Sequence, residues 1–264
     1  MMQDLKGKNI LITGGGGNGL ASGICKALDQ NGAQLIINDV SENHFTNLRD
    51  KYPHAVFIQA DISRAEEVEK IFEEIEKTVG KLDGLVNNAG IGLVEYAHKV
   101  DSIGFDKLYD VDVKGLWQVS KNFVNHLLKH DHLGNIVNVT SIHVLKTVGK
   151  YALYSSAKSA VEGLTRGMAV ELGKNNIRVN SVGPGFVHSD QNIHLLQSLT
   201  DDPEKWVDDH VNHYQVVNRV MEPVKCGNVI AFLLSQLSEG VTGQSIYVDH
   251  GTSLMLYGND FIKK

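Results

Sequence analysis

Tyr154 and Lys158 stand four positions apart, and Ser141 precedes the tyrosine by thirteen positions. Residues i and i+4 of a helix share one face, so a helix here would bring the phenol and the ammonium together. A tyrosine phenol is a weak base near neutral pH, but a neighbouring cation stabilises its ionised form. Tyr154 could then exchange a proton with an alcohol while Ser141 holds the same oxygen. The set predicts acid–base chemistry on a hydroxyl or carbonyl group.

The residues around this set predict the elements that position it. Residues 134–140 read Gly-Asn-Ile-Val-Asn-Val-Thr, a β-branched run that is typical of a buried strand. Apolar residues recur at helical spacing after the tyrosine, namely Ala157, Ala160, Val161, Leu164, Met168 and Leu172. Ser141 is therefore expected at the end of a strand, and Tyr154 at the start of a helix.

Strand-like and helix-like segments alternate along the whole chain. The apolar runs that predict strands are 9–13, 34–38, 56–60, 82–87, 136–141, 177–182 and 245–249. Amphipathic stretches lie between them, most clearly at residues 68–79. The alternation predicts an α/β fold, a doubly wound parallel sheet with helices on both faces. We expect residues 1–264 to form a single domain, in which the irregular interval 188–222 is a substrate lid.

Composition limits the classes of partner. The 264 residues include 25 basic and 31 acidic side chains without a basic block, so neither nucleic acid nor an anionic membrane is an expected partner. The N-terminus has no apolar signal-like segment, and no apolar run approaches the length of a membrane span. Cys25 and Cys226 lie in apolar helical contexts and are expected to be small core residues in a reducing compartment. These features predict a cytoplasmic protein.

A glycine-rich segment follows the first strand and opens the first helix. Residues 13–21 read Thr-Gly-Gly-Gly-Gly-Asn-Gly-Leu-Ala, and such a loop lets a pyrophosphate approach the helix N-terminus. Taken alone, the loop could also be a glycine-rich turn without a ligand. Asp39 ends the second strand, 20 residues after Gly19, where an acid can bind both ribose hydroxyls and repel a 2′-phosphate. Together they predict a dinucleotide site that prefers NAD to NADP.

In combination, these motifs strongly resemble the short-chain dehydrogenase/reductase family, in its single-domain branch, over about residues 6–251. The matching positions are Thr13, Gly14 and the following glycines, Asp61, the run 87–90 (Asn-Asn-Ala-Gly), Ser141, Tyr154, Lys158 and the run 184–189 (Pro-Gly-Phe-Val-His-Ser). The resemblance implies a Rossmann-type sheet of seven strands in the order 3-2-1-4-5-6-7. It also implies a homotetramer or homodimer with helices near 105–130 and 155–174 as its faces.

The same resemblance implies an activity and a set of residues for it. The activity would be hydride transfer between NAD and a carbinol carbon, which interconverts a secondary alcohol and a ketone with Tyr154 as the acid–base group. The residues expected to bind NAD are Gly14, Asn18, Gly19, Leu20, Asp39, Asp61, Ile62, Asn88, Ala89, Gly90, Tyr154, Lys158, Pro184, Gly185, Val187 and Ser189.

The chain departs from the family pattern in three places. The glycine loop is one residue longer, with Ala21 at the position of the last glycine, and His250 stands where such proteins usually carry glycine. Asp112 replaces an asparagine that holds a water in the proton relay to the lysine. A carboxylate could organise the same water, although its charge opposes a tyrosinate. Asp112 could be a working variant, an engineered change or a detuned site. We favour a working variant, because Ser141, Tyr154 and Lys158 are all present, and count Asp112 with these catalytic residues.

Polar residues near the expected cleft suggest a polar substrate. By resemblance His143 and His188 border this cleft and could bind a carboxylate or hydroxyls, unless they only cap backbone groups at strand ends. A sugar, polyol or hydroxy acid fits best with the residues that the lid adds, which are Gln191, Asn192, His194 and Trp206.

The remaining histidines do not predict a metal site. His126, His130 and His132 cluster near a helix end, but no cysteine or acidic residue completes a recognisable site at these spacings. A solvated helix end is the preferred interpretation.

The apolar tail, residues 254–261, is expected to pack on a neighbouring subunit.

Two alternative functions remain open. The first is reduction of a 3-oxoacyl thioester, which usually requires NADP and is disfavoured by Asp39. The second is a non-catalytic NAD-binding protein of the same fold, which the presence of both Tyr154 and Lys158 disfavours.

Overall fold

A computed structural model describes residues 3–256 of the chain, and a sheet of seven parallel strands lies at its centre. The strand order is β3-β2-β1-β4-β5-β6-β7, which confirms the predicted Rossmann-type topology. The strands are β1 (Asn9–Thr13), β2 (Gln34–Asp39), β3 (Val56–Gln59), β4 (Gly84–Asn87), β5 (Asn135–Val139), β6 (Arg178–Pro184) and β7 (Ser245–Val248).

Helices cover both faces of the sheet, as the doubly wound fold requires. Ile10 and Ile12 of β1 belong to a core beneath the first and last helices, whereas Leu11 belongs to a second core on the opposite face. The helices are α1 (Leu20–Gln30), α2 (Thr46–Lys51), α3 (Ala65–Thr78), α4 (Ser102–Tyr109), α5 (Leu116–Lys129), α6 (Ala152–Leu172), α7 (Asp190–Gln197), α8 (Pro203–His213) and α9 (Pro223–Leu234).

The strand order reverses direction between β1 and β4. Thr13, the last residue of β1, lies in register with Asn87, the last residue of β4. In open parallel sheets, ligands bind in the crevice beyond the carboxyl ends of the strands at such a switch point. The glycine loop and the Asn88 turn both leave from this edge.

The end of the fifth strand and the interval 188–222 differ slightly from the prediction. The fifth strand ends at Val139, so Ser141 lies two residues beyond it, at the start of a short 3₁₀ helix (Ile142–Val144). The interval 188–222 is more helical than irregular, because α7 and α8 occupy much of it.

Cys25 and Cys226 are both unpaired and buried, which confirms that they are core residues. Within the described residues, no helix is both long and apolar enough to cross a lipid bilayer. The tail predicted to contact a neighbouring subunit lies outside the described residues from position 257 onward.

Candidate active site

Asp112 lies in a single turn of π-helix, Asp110–Gly115, between α4 and α5. Such turns are frequent at functional sites. The carboxylate is fully buried. Its Oδ1 accepts a hydrogen bond of 2.8 Å from the backbone N–H of Ile91, and its Oδ2 lies 3.0 Å from Lys158 Nζ. One carboxylate therefore connects the turn after β4 to helix α6.

The ammonium of Lys158 is buried against three groups. It forms the ion pair with Asp112, donates to the carbonyl of Val139 at 3.4 Å and lies 5.7 Å from the ring centroid of Tyr154. Burial alone would lower the pKa of Lys158, but the charges of Asp112 and Tyr154 outweigh burial, and the pKa is raised above its ordinary value. Lys158 is therefore a fixed cation at neutral pH.

Tyr154 and Ser141 present hydroxyl groups near this cation. Tyr154 lies in the first turn of α6, and its phenol oxygen bonds to no residue within 3–256. Ser141 Oγ accepts a hydrogen bond of 3.2 Å from the N–H of His143, so its own O–H is available to donate. The arrangement can hold one substrate oxygen and move one proton.

His143 lies beside Tyr154. Its ring meets Tyr154 edge-on at 5.7 Å and stacks on Tyr151 at 4.5 Å. Nδ1 lies 3.0 Å from Thr147 Oγ1, which leaves Nε2 without a bond to any described residue. Burial lowers the pKa of His143, so the ring is neutral at pH 7.

Sequence reasoning missed Tyr151, which immediately precedes α6 and whose ring also meets Tyr154 edge-on at 6.0 Å. Its position three residues before Tyr154 was the available signal.

His188 behaves differently from His143. Its side chain is exposed, its backbone N–H bonds to the Met221 carbonyl, and no contact joins its ring to the other predicted site residues that the structure describes.

The glycine loop has the geometry of a phosphate cradle. Gly14 adopts a φ of +58°, and a Cβ atom there would lie 2.7 Å from Ala89 Cα, so only glycine fits. Gly19 precedes α1, and no side chain caps this helix start. The uncapped N–H groups and the positive dipole end are suited to an anion such as a pyrophosphate. Asn18 is exposed at the tip of the loop, and Leu20 is the first helical residue.

Asn88 fastens the turn after β4 to this loop. Its Nδ2 donates to the carbonyls of Thr13 and Gly14 at 3.1 and 2.9 Å. Thr13 Oγ1 in turn accepts from the N–H groups of Asn88 and Ala89 at 3.1 and 3.2 Å. The Asn88 side chain thus holds two loops of the site together. Gly90 follows at the catalytic end, where a Cβ atom would lie 3.0 Å from Lys158 Nζ.

Asp39 is buried against the glycine loop. Its Oδ2 accepts a hydrogen bond of 3.0 Å from Gly16 N–H, and its Oδ1 lies 2.8 Å from His44 Nδ1. Oδ1 also accepts a hydrogen bond of 3.3 Å from Ser41 N–H. A carboxylate oxygen has about two acceptor sites, so Oδ2 can still accept a hydrogen bond from a ribose hydroxyl. Sequence reasoning missed His44, which a 3₁₀ helix (Glu42–Phe45) brings back to the end of β2.

Asp61 and Ile62 follow β3 in different environments. Asp61 Oδ1 accepts hydrogen bonds from Ser63 N–H and Ser63 Oγ, at 2.9 and 2.7 Å. Ile62 is buried, and its carbonyl accepts from Gln118 Nε2 at 3.0 Å. Ile62 therefore helps to position α5, and Asp61 stabilises the turn at the same edge.

The loop after β6 forms the other side of the crevice. Pro184 ends the strand, and Gly185 donates to the Val248 carbonyl at 3.0 Å. Val187 is buried, and Ser189 Oγ caps α7 by accepting from Asn192 N–H at 3.3 Å. These residues fix the course of the loop toward the predicted lid.

The predicted lid packs against this loop through aromatic rings. Trp206 of α8 meets Phe186 edge-on at 4.9 Å and stacks on His210 at 5.1 Å. His194 Nδ1 lies 3.1 Å from Gln197 Oε1 on its own helix. The side chain of Gln191 lies outside the described part of the chain.

His250 anchors the end of the same segment. It adopts a φ of +51°, a left-handed conformation that explains the glycine usually found here. Its carbonyl accepts from the N–H groups of Val216 and Val217 at 2.8 and 3.0 Å, and its Nδ1 lies 2.8 Å from the Arg219 carbonyl. The histidine thus joins residues 216–219 to the end of β7.

Comparisons with known proteins agree with this geometry. Residues 15–253 match the family described as enoyl-(acyl carrier protein) reductase. The chain is 30% identical to versicolorin reductase 1 of Aspergillus parasiticus, over 94% of this chain and 97% of the relative. It is also 30% identical to glucose 1-dehydrogenase of Gluconobacter oxydans, over 96% and 94%.

A solved structure leads to the same family. A proposed gluconate dehydrogenase from Agrobacterium tumefaciens superposes with a TM-score of 0.88 at 26% identity, over 97% of this chain and 100% of the other. The sheet order and the family match bear out the resemblance carried by the sequence motifs. The chain belongs to the short-chain dehydrogenase/reductase family of oxidoreductases, which use nicotinamide cofactors.

Proposed function

We propose that this protein is an NAD(H)-dependent oxidoreductase that interconverts a polar secondary alcohol and the corresponding ketone. One observation carries the proposal: the Tyr154 phenol has no partner within residues 3–256 and lies beside an ammonium that Asp112 keeps charged. A cation in this position stabilises the ionised phenol, which is the form that can act as a base.

Each catalytic side chain has a defined task in the oxidising direction. Ser141 donates a hydrogen bond to the substrate oxygen and orients it. Tyr154, as tyrosinate, accepts the hydroxyl proton while the carbon–hydrogen bond breaks, and Lys158 stabilises the tyrosinate. A bound nicotinamide supplies the hydride acceptor. In the reducing direction Tyr154 returns the proton to the alkoxide oxygen.

The glycine loop and Asp39 support the choice of cofactor. Gly14 and the uncapped start of α1 fit a pyrophosphate, and the buried carboxylate of Asp39 lies beside the loop. A negative charge at this place favours two ribose hydroxyls over a 2′-phosphate. We propose that Asp61 and Ile62 face the adenine, that the 88–90 turn contacts the cofactor, and that residues 184–189 face the nicotinamide side, with Lys158 on its ribose.

A polar substrate is the favoured class. His143 offers a free Nε2 near Tyr154, and His188 is an exposed polar group on the loop after β6. The names of two relatives, a glucose dehydrogenase and a proposed gluconate dehydrogenase, concern a sugar and a sugar acid. We therefore propose a sugar, polyol or hydroxy acid, bound beneath a lid formed by residues 188–222 of a single domain.

A second candidate is the reduction of a 3-oxoacyl thioester. The description of the matching family, which concerns acyl carrier protein, favours it. Asp39 disfavours the second candidate, because such reductions usually use NADP and an acid at this position suits NAD. The two candidates differ in both cofactor and substrate polarity, so one activity screen separates them.

We also propose a homotetramer or homodimer in the cytoplasm. Trp117 on α5 and Val170 on α6 are large apolar side chains exposed to solvent, at 45% and 83%. A second copy packed on these helices would cover them. The unpaired thiols of Cys25 and Cys226 suit a reducing compartment.

The test is a panel of polar secondary alcohols with NAD⁺ or NADP⁺ and of 3-oxoacyl thioesters with NADH or NADPH, in which turnover is followed by the absorbance of the reduced cofactor. The proposal predicts turnover of at least one polar alcohol with a preference for NAD⁺. Turnover confined to 3-oxoacyl thioesters with NADPH would establish the second candidate instead.

A further inference from the structure

Three side chains on the face opposite α1 and α9 form a cluster outside the catalytic set. His126 and His130 lie one turn apart at the end of α5, and Glu76 lies near the end of α3. One ligand atom of each residue lies within 4.8 Å of the others. The acidic member comes from a distant part of the sequence, because the packing of α3 on α5 brings Glu76 to the two histidines.

We propose that Glu76, His126 and His130 bind a divalent transition-metal ion, with Zn²⁺ as the reference case. Two imidazoles and one carboxylate form a donor set that zinc accepts, with a fourth position for water. Zinc bonds of about 2.0–2.1 Å in a tetrahedron place donor atoms roughly 3.3 Å apart.

The existing distances are close to that requirement. Glu76 Oε2 lies 2.9 Å from His130 Nε2 and 3.5 Å from His126 Nδ1. The two imidazole rings are 4.6 Å apart between centroids and tilted by 53°. His130 is only partly buried, so a small rotation of its side chain would bring its nitrogen closer to that of His126.

The burial of His126 supports coordination through Nδ1. This residue is only 7% exposed, and neither ring nitrogen makes a hydrogen bond to the described part of the chain. Buried polar groups without partners are rare in native proteins. Its Nδ1 faces the Glu76 carboxylate but forms no hydrogen bond there, so it is free to coordinate a cation.

Among the residues that the structure describes, Lys129 is the cation that competes for Glu76. Its ammonium lies 3.0 Å from Glu76 Oε1, whereas both histidines approach Oε2. The Lys129 side chain is 65% exposed and can turn into solvent when a cation binds. The neighbouring pair of His132 and Asp83, 3.1 Å apart, is separate from the cluster.

The position of the cluster indicates its effect. It lies just before β5, at the amino ends of the strands, whereas the catalytic residues lie beyond their carboxyl ends. It also joins two helices that cover the same core. A bound ion would cross-link α3 and α5 and stabilise the folded chain without contact with the substrate.

The experiment uses untagged full-length protein, stripped of metal with a chelator and titrated with ZnCl₂ in a calorimeter. We expect saturable binding of roughly one Zn²⁺ per chain and a higher melting temperature with zinc. Glu76→Gln and His130→Gln change exposed or partly exposed side chains and should each weaken binding at least about tenfold. His132→Gln is the matched control and should bind as the wild type does.

Two results would overturn the proposal. One is the absence of saturable Zn²⁺ binding to the stripped wild type. The other is binding that persists unchanged in both Glu76→Gln and His130→Gln, since zinc would then occupy other residues. Circular dichroism spectra of all variants without zinc establish that a lost signal does not come from misfolding.

Discussion

The carboxylate of Asp112 and the ammonium of Lys158 lie 3.0 Å apart, and both groups are buried. The other carboxylate oxygen accepts from the N–H of Ile91. Asp112 thus faces two donors, and a carboxylate can accept from both, whereas an asparagine amide has one acceptor and one donor end. The substitution from the usual asparagine is therefore matched to its surroundings.

Asp112→Asn should destabilise the protein because one of the two donors loses its acceptor. We expect the free energy of unfolding at pH 7 to fall by about 1–3 kcal/mol, measured by urea denaturation. Asp110→Asn in the same turn is the control. Its partner Lys114 is exposed, so its loss should change stability by less than about 1 kcal/mol. Equal stability of the wild type and Asp112→Asn would refute this role.

The pKa of Lys158 predicts an alkaline effect. Because this pKa is higher in the folded than in the unfolded chain, the ion pair stabilises the fold fully below about pH 10.4. The stabilisation is lost as the pH rises through the folded-state pKa. In Asp112→Asn the negative charge that raises the pKa of Lys158 against the effect of burial is removed, so this pKa should be lower. The alkaline loss of stability and activity should then begin at lower pH. Stability and activity of the two proteins measured between about pH 8 and 11 would show this displacement, and superimposable curves would argue against it.

Asp39→Asn should weaken the preference for NADH over NADPH. The amide keeps an acceptor for Gly16 N–H but removes the charge that repels a 2′-phosphate. We expect the ratio of the two dissociation constants, measured by fluorescence titration, to fall at least about fivefold. Asp61→Asn, on the proposed adenosine side, should leave the ratio unchanged. A preference unaffected by Asp39→Asn would remove the basis for choosing NAD.

The left-handed conformation of His250 predicts an unusual order of stabilities. His250→Gly and His250→Ala both lose the contact between Nδ1 and the Arg219 carbonyl. Only the alanine variant keeps the unfavourable backbone conformation. We expect the glycine variant to be more stable than the alanine variant by about 1 kcal/mol in thermal unfolding. The reverse order would show that the conformation is not strained.

The fold could be predicted because its signals are local. Apolar runs such as 9–13 and 34–38 identify buried strands, and the helix face shared by Tyr154 and Lys158 follows from their spacing. Ser141 was predicted at the end of the fifth strand but lies two residues beyond it, because Val139 is the last residue of β5 that pairs with β6.

Contacts between distant segments could not be predicted in the same way. His44 reaches Asp39 only because a 3₁₀ helix turns the chain back, and Glu76 reaches His130 only because α3 packs on α5. The π-helical turn around Asp112 also has no evident sequence signal. Each of these features depends on tertiary packing, which periodicity along the chain does not describe.

Tyr154→Phe tests the proposed chemistry most directly. The phenylalanine ring can keep the contacts with His143 and Lys158 but lacks the hydroxyl. With the polar alcohol that the wild type oxidises and NAD⁺, kcat should fall by roughly 10²–10⁴-fold while the dissociation constant for NADH changes little. Tyr109→Phe is the control and should retain activity. It alters a tyrosine of α4 that is hydrogen-bonded to Ser156, a neighbour of Tyr154 on α6. If Tyr154→Phe turns over the alcohol at a rate close to that of the wild type, Tyr154 is not the acid–base group.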